Sequence, residues 1–359
     1  MSTQSVPARA AWVGAAGQLP LPWLARPVAQ ALAHRGHALL VHGPQGVGQF
    51  EVALVLAQSW LCEARTGPDQ HACGQCEACR LVQAGTHPDL LILVPQALRE
   101  VLGLSALGTD DNEAAAGSTS KKPSAGGREI RVADVRQAID WGHQTSSRSQ
   151  GKVLVLYPAQ TLNRVAANAL LKTLEEPTGS LRLVLSTFDV QALLPTLTSR
   201  CQRLAMSVPE RQLAQAWLRE QGLNEPEILL AGAGGRPQEV LAMVRDGLDG
   251  RLWPALPEAV RRGCADMLMG LPIPRVVDVL QKVCVDLMSR SQGAQAQFFP
   301  SEALPEGASP LGLAAWWRQL QRTARHEDHP WNADLLIESL VLQGRQCWLA
   351  PDKAKPHVC

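Results

Sequence analysis

The sequence predicts an α/β domain built on a parallel sheet, followed by an all-helical region. Two observations carry this. Between residues 38 and 208 short apolar strands alternate with helical segments, the order a parallel sheet requires. From Met206 onward no such strands recur, and amphipathic stretches such as 210–221 and 333–342 take over.

The candidate strands are 38–42, 90–94, 152–156 and 183–186. Their hydrophobicity is continuous rather than alternating, which marks strands covered on both faces. Residues 105–127, rich in Ala, Gly, Ser and charge, cannot bury enough apolar surface to order themselves and read as a flexible insertion. At 359 residues the chain exceeds one ordinary core. The expected division is 1–205 for the sheet domain, 206–249 for a small helical segment and 250–359 for a helical C-terminal domain, with Gly250 and Pro254 marking the internal break.

Hydrophobic residues make up 46% and charged residues 19%, with a net charge of +1. That is a globular composition without the bulk positive field of an autonomous nucleic-acid binder, so contact with DNA has to be local or shared with partners. No apolar run reaches the length of a membrane span, and no signal core opens the chain; a cytoplasmic protein is expected.

The first strand runs into Gly43-Pro44-Gln45-Gly46-Val47-Gly48-Gln49-Phe50 and then a helix. Gly43, Gly46 and Gly48 reproduce the framework of a phosphate-binding loop, in which glycines allow the tight turn and backbone N–H groups face an anion. The glycines alone also suit a plain turn; the strand before and the helix after argue for the loop. Where such loops place Lys on the outer phosphates and Ser or Thr on magnesium, this chain has Gln49 and Phe50. The third strand ends in Leu156-Tyr157-Pro158, without the carboxylates that would serve magnesium and water. Neither ATP nor magnesium is expected in this site.

Nine cysteines are present, four of them spaced Cys62-x10-Cys73-x2-Cys76-x2-Cys79. Four thiolates within reach of one ion suit tetrahedral structural Zn2+ with no position left for water. An iron–sulfur cluster and a redox-active pair are the competing readings, unaccompanied by a second cluster or a thioredoxin-like context. His71 is a substitute ligand by position and a solvated loop residue by default. The remaining cysteines, Cys201, Cys264, Cys284, Cys347 and Cys359, read mostly as core thiols.

In residues 162–174 the apolar positions Leu162, Val165, Ala166, Ala169, Leu170 and Leu174 are expected on one helical face. Glu175 and Glu176, before Pro177, read as solvated. The ten tryptophans, Trp316 and Trp317 among them, are assigned to helical cores or subunit contacts.

Taken together, Pro22-Trp23-Leu24, the cysteine cluster, Ala84-Gly85-Thr86-His87-Pro88-Asp89, Ala166-Ala167-Asn168-Ala169-Leu170-Leu171-Lys172-Thr173-Leu174-Glu175-Glu176-Pro177 and Ser199-Arg200-Cys201 resemble the subunits of the bacterial DNA polymerase III clamp loader, specifically its delta-prime kind. The likeness covers roughly residues 20–205, with a weaker echo at 332–340. It implies a P-loop NTPase-like (AAA+) domain, a helical lid at 206–249 and an oligomerising collar at 250–359. It implies gamma/tau motor subunits and a delta subunit as partners, with the sliding clamp and primed DNA reached through the complex.

It further implies that Arg200 acts in trans as an arginine finger on ATP held by a neighbouring motor, an effect on the order of 10³ to 10⁵ in rate. Ser186-Thr187 stands where the family's motors sense the γ-phosphate. Gln238 stands where they carry a second sensing arginine, unless Arg236 takes that place by a shifted alignment. Two alternatives remain: an active gamma/tau-type motor, against which Gln49, Phe50, Tyr157 and Pro158 speak, and a stand-alone zinc-containing nucleic-acid-binding protein, against which the near-neutral charge speaks.

Overall fold

The computed structural model describes residues 12–67, 69–102, 104, 127–177, 179–326 and 331–349. The expected flexible insertion falls almost wholly on 105–126, outside the described residues, as does Cys359. The chain forms two compact units, Met1–Val208 and Pro209–Cys359.

In chain order the first unit contains α1 (Ala25–Ala33), β1 (Ala38–His42), α2 (Gln49–Leu61), α3 (Glu77–Gln83), β2 (Leu90–Leu93), α4 (Gln96–Leu102), α5 (Val132–His143), β3 (Lys152–Leu156), α6 (Arg164–Glu175), β4 (Leu181–Thr187), α7 (Pro195–Thr198) and β5 (Gln202–Ala205). The strands form one sheet in the order β2-β3-β4-β1-β5, parallel at every pairing. β1 and β4 are adjacent, with His42 opposite Thr187, so the turn after β1 sits beside the carboxyl end of β4. Ligands of open α/β sheets bind at such strand ends.

The four anticipated strands are present, and β4 extends beyond its expected span at both ends, to Leu181 and Thr187. β5 escapes the apolar-run criterion because it is an edge strand whose only buried residue is Leu204. Helix α2 is buried at every position except Glu51, the pattern of a helix apolar all round and enclosed by the domain.

The expected face of α6 needs correction. Asn163 caps the helix by accepting from the Ala166 N–H at 2.9 Å, which leaves Leu162 before the helix, and the buried residues are Ala166, Ala167, Leu170, Thr173 and Leu174. Val165 lies about 140° from the centre of that stripe at 100° per residue and is 60% exposed.

The second unit contains α8 (Arg211–Glu220), α9 (Glu227–Gly232), α10 (Pro237–Arg245), α11 (Leu252–Arg262), α12 (Ile273–Ser291), α13 (Pro310–Ala324) and α14 (Ala333–Arg345), with no strand among the described residues. One core runs from Ala214 to Cys347. Trp253 is fully buried and stacks on Phe299 at 4.7 Å, while its indole N–H donates to the Phe298 carbonyl at 3.0 Å. Asp286 anchors the same segment, its carboxylate accepting from the backbone N–H groups of Gln297, Phe298 and Phe299. Trp316 is buried and donates to the Leu340 carbonyl at 2.9 Å; Trp317 is partly buried against the core.

No helix among the described residues is long and apolar enough to cross a membrane.

Candidate functional site

The phosphate-loop backbone is present between β1 and α2. Gly46 and Gly48 have φ of +86° and +99°, values that favour glycine. A Cβ on Gly43 would stand 2.3 Å from the Met206 carbonyl oxygen, and one on Gly48 would stand 2.8 Å from Leu21. The Pro22-Trp23-Leu24 turn braces the loop from behind, with the Trp23 indole N–H donating to the Val47 carbonyl at 2.8 Å.

The side chains around the loop turn to partners within the chain. Gln49 is buried, and its amide donates back to the carbonyls of Gly43, at 2.7 Å, and Pro44. Phe50 stacks on Tyr157 with ring centroids 4.5 Å apart and planes 22° apart. Burial, followed by the charge of Glu51, pushes the Tyr157 hydroxyl up to about 12, so it offers magnesium no anionic oxygen. Glu51 itself lies in the first turn of α2, where a carboxylate complements the helix dipole as a phosphate would. The Thr187 hydroxyl accepts from the Asp189 N–H at 3.1 Å and meets Gln160 Oε1 at 2.5 Å, capping β4. Lacking a cation, a hydroxyl and a carboxylate at the required places, these residues do not fit a magnesium nucleotide.

At the other end of α2 the structure brings Cys62, Cys73, Cys76 and Cys79 together, with all four Sγ atoms within 4.8 Å of one another. The separations Cys62–Cys73, Cys62–Cys76 and Cys73–Cys79 are 3.6, 3.8 and 4.0 Å. A tetrahedral ion with bonds of about 2.3 Å to sulfur sets its ligands about 3.8 Å apart. Backbone N–H groups point at the sulfurs as well: Cys73 N–H at Cys62, Gln75 and Cys76 N–H at Cys73, and Cys79 N–H at Cys76.

Burial raises the Cys73 thiol, but the Gln75 and Cys76 N–H groups outweigh it and bring the thiol down to about 7. Cys79 and Cys62, dominated by burial, are shifted upward. The donor set fits a sulfur-coordinated ion. His71 lies outside the cluster, its Nδ1 3.1 Å from the Ala72 carbonyl.

The knot is braced on two sides. Gly74, at φ +75°, lies so close to the N-terminal segment that a Cβ there would stand 1.8 Å from the Gly14 oxygen. The Gln83 amide donates to the carbonyls of Val13 and Gly74 at 2.8 and 3.0 Å. On the other side Arg148 reaches Glu63 at 2.7 Å and Glu77 at 2.8 Å, the residues that follow Cys62 and Cys76.

The backbone N–H of Arg148 donates to Asp89, which is fully buried and also accepts from Ser147 N–H and the Ser146 hydroxyl. Burial raises the Asp89 carboxyl, but these donors and Lys152 hold it below the usual carboxylate value. His87 presents Nδ1 to the Asp89 N–H at 3.1 Å. The Thr86-His87-Pro88-Asp89 motif is therefore a buttress that ties the knot region to β2 and β3, a role its spacing did not disclose.

Arg200 follows α7 with its side chain one-third exposed. Its Nε donates to Glu175 Oε1 at 2.5 Å, its Nη2 reaches the same oxygen, and its Nη1 donates to the Thr196 carbonyl at 2.8 Å. Glu175 is exposed, as its place before Pro177 leads one to expect; in addition the fold brings the end of α6 to α7, where the carboxylate meets the guanidinium. Cys201 is buried, which pushes its thiol up to about 11; Cys284 and Cys347 are also buried, whereas Cys264 is exposed. In the second unit Arg236 donates to the Ala233 carbonyl at 2.7 Å, and Gln238 lies in the first turn of α10.

A family model described as DNA polymerase III, delta subunit, matches residues 28–210. A DNA polymerase III subunit delta' from Pseudomonas aeruginosa is 36% identical over 209 residues, 57% of this chain and 55% of that protein. One from Yersinia pestis is 31% identical over 306 residues, 79% of this chain and 81% of that protein. The match thus spans about half the length of the first relative and four-fifths of the second. A solved gamma-subunit-related DNA polymerase III protein from Thermotoga maritima has a TM-score of 0.46 at 15% identity, covering 90% of this chain and 99% of that one. The family model spans the phosphate loop, the four-cysteine knot and Arg200 in one continuous match, and with the two relatives it shows that this chain belongs to the DNA polymerase III delta-prime subunit family.

Proposed function

We propose that this chain is the non-hydrolysing delta-prime member of the clamp loader. In this reading it assembles with gamma/tau motor subunits and a delta subunit in the cytoplasm, and the complex places the sliding clamp on primed DNA. The observation that carries the reading is a phosphate loop without its working side chains: the Gln49 amide turns to the loop's own carbonyls, and the Phe50–Tyr157 stack stands where magnesium ligands would be. The same stack disfavours the motor-subunit alternative.

The contribution to catalysis is then made outward. Arg200 is partly exposed and would set a fixed positive charge against the phosphates of ATP held by a neighbouring motor as charge develops in the transition state. Cys62, Cys73, Cys76 and Cys79 would hold Zn2+, which supplies a cross-link that stabilises the fold and takes no part in the reaction. Residues 206–249 act as the lid and 250–359 as the collar that joins the other subunits.

Purified alone, the chain is expected to turn over no ATP. In the assembled loader Arg200→Ala is expected to lower turnover at the site it serves on the order of 10³-fold while assembly persists. Turnover by the isolated chain, or an unchanged rate in the Arg200→Ala assembly, would overturn the reading.

A further inference from the structure

We infer that Glu175 is the positioning residue for Arg200, a role that rests on the reading of Arg200 as a group acting in trans. An arginine on a short turn samples many rotamers, and a finger helps only if its plane is set before the neighbour's phosphates arrive. Here the plane is set. Nε and Nη2 both meet Glu175 Oε1, side-on, and Nη1 donates to the Thr196 carbonyl. A guanidinium has five N–H donors; with three engaged, two remain on the terminal nitrogens, enough to grip an incoming anion.

The residue that holds the guanidinium is itself well anchored. Glu175 is the last residue of α6, a helix capped by Asn163 and fixed to the sheet through Ala166, Leu170 and Leu174. Arg200, by contrast, follows the four-residue helix α7. Orientation is thus passed from a packed helix to a side chain on a short turn. The pair is partly exposed, Arg200 at 33% and Glu175 at 48%, and exposed ion pairs add little to stability. Its loss should therefore be read in catalysis and not in folding.

The test is ATP turnover in the complete assembly of this chain with its motor and delta subunits, for wild type, Glu175→Ala, Glu175→Asp, Arg200→Ala and the double variant Glu175→Ala/Arg200→Ala. Glu175→Ala is expected to lower kcat on the order of 10- to 100-fold, leaving KM for ATP, assembly and melting temperature unchanged. Glu175→Asp, which keeps the charge, recovers part of the rate, and Glu175→Ala has no further effect once Arg200 is alanine. A rate that falls with Arg200→Ala but not with Glu175→Ala overturns this inference and leaves the function standing. Independent, multiplying effects in the double variant, or a Glu175→Ala chain that fails to assemble, also overturn it. If Arg200→Ala itself leaves the rate unchanged, the function proposed for Arg200 fails first.

Discussion

The two ends of helix α2 make an instructive pair. At its N-terminus the phosphate loop keeps the backbone of a binding site, left-handed glycines included, yet Gln49 donates to the loop's own carbonyls and Phe50 stacks on Tyr157, so neither position offers a cation or a hydroxyl. At its C-terminus Cys62 joins three other thiols aimed at a single point, with backbone N–H groups supporting the sulfurs. Both ends preserve a demanding main-chain path. Only the second preserves side chains with free lone pairs directed at a ligand, so backbone geometry alone is a poor indicator of surviving chemistry.

The comparison can be broken most forcefully at the knot. Cys73→Ser/Cys76→Ser, or removal of the metal by a chelator, is expected to destabilise the first unit by more than about 4 kcal/mol, read by metal analysis and thermal denaturation. Gly74→Ala should act in the same direction, because its Cβ would collide with the Gly14 carbonyl. A metal-free variant as stable as wild type would show that the knot is as vestigial as the loop.

Next in size is the buttress. Asp89→Asn leaves Lys152 buried without its ion-pair partner and is expected to cost about 3–5 kcal/mol near neutral pH. The Asp89 carboxyl is held below its ordinary value in the folded chain. Its contribution is therefore fully present above the unfolded value near pH 4 and is lost as pH falls through the lower folded value. Acid denaturation of Asp89→Asn should lack that component; an acid transition of unchanged shape would refute the assignment.

At the loop, Phe50→Ala removes a buried stacked ring and is expected to cost about 3 kcal/mol in denaturant titrations without creating nucleotide binding. The smallest effect is expected from Gln49→Lys/Phe50→Thr assayed for hydrolysis. Restoring the loop's two missing residues should still yield no ATP turnover, because Leu156-Tyr157-Pro158 supplies no carboxylate. Measurable hydrolysis would mean that the losses at the loop and at the end of β3 are not independent.

Much of this architecture is legible without coordinates. The continuous apolar strands β1 and β3, the glycine framework and the cysteine spacing are local patterns, and each survives folding as read. Strand β5 is harder to read because an edge strand with one buried residue leaves a weak signature. The facing of α6 is set by its packing on the sheet core, which puts Ala167 inside and leaves Val165 at the surface. Trp23 and Val47, 24 residues apart, carry no sign in their own neighbourhoods that they will meet.

What the sequence alone determined, then, is chemical capacity: which residues are present to bind sulfur-loving metal, and which are missing for magnesium and phosphate. Those are properties of side-chain identity at short spacing, and no folding can add a hydroxyl to Phe50 or a cation to Gln49. Only the tertiary structure decided direction and partnership: that the Gln49 amide turns to its own loop's carbonyls, that Asp89 anchors the segment carrying Arg148, and that Glu175 meets Arg200 across 25 residues of chain. Such contacts arise from long-range packing of helices on a sheet, and the energy that selects them is spread over the whole core.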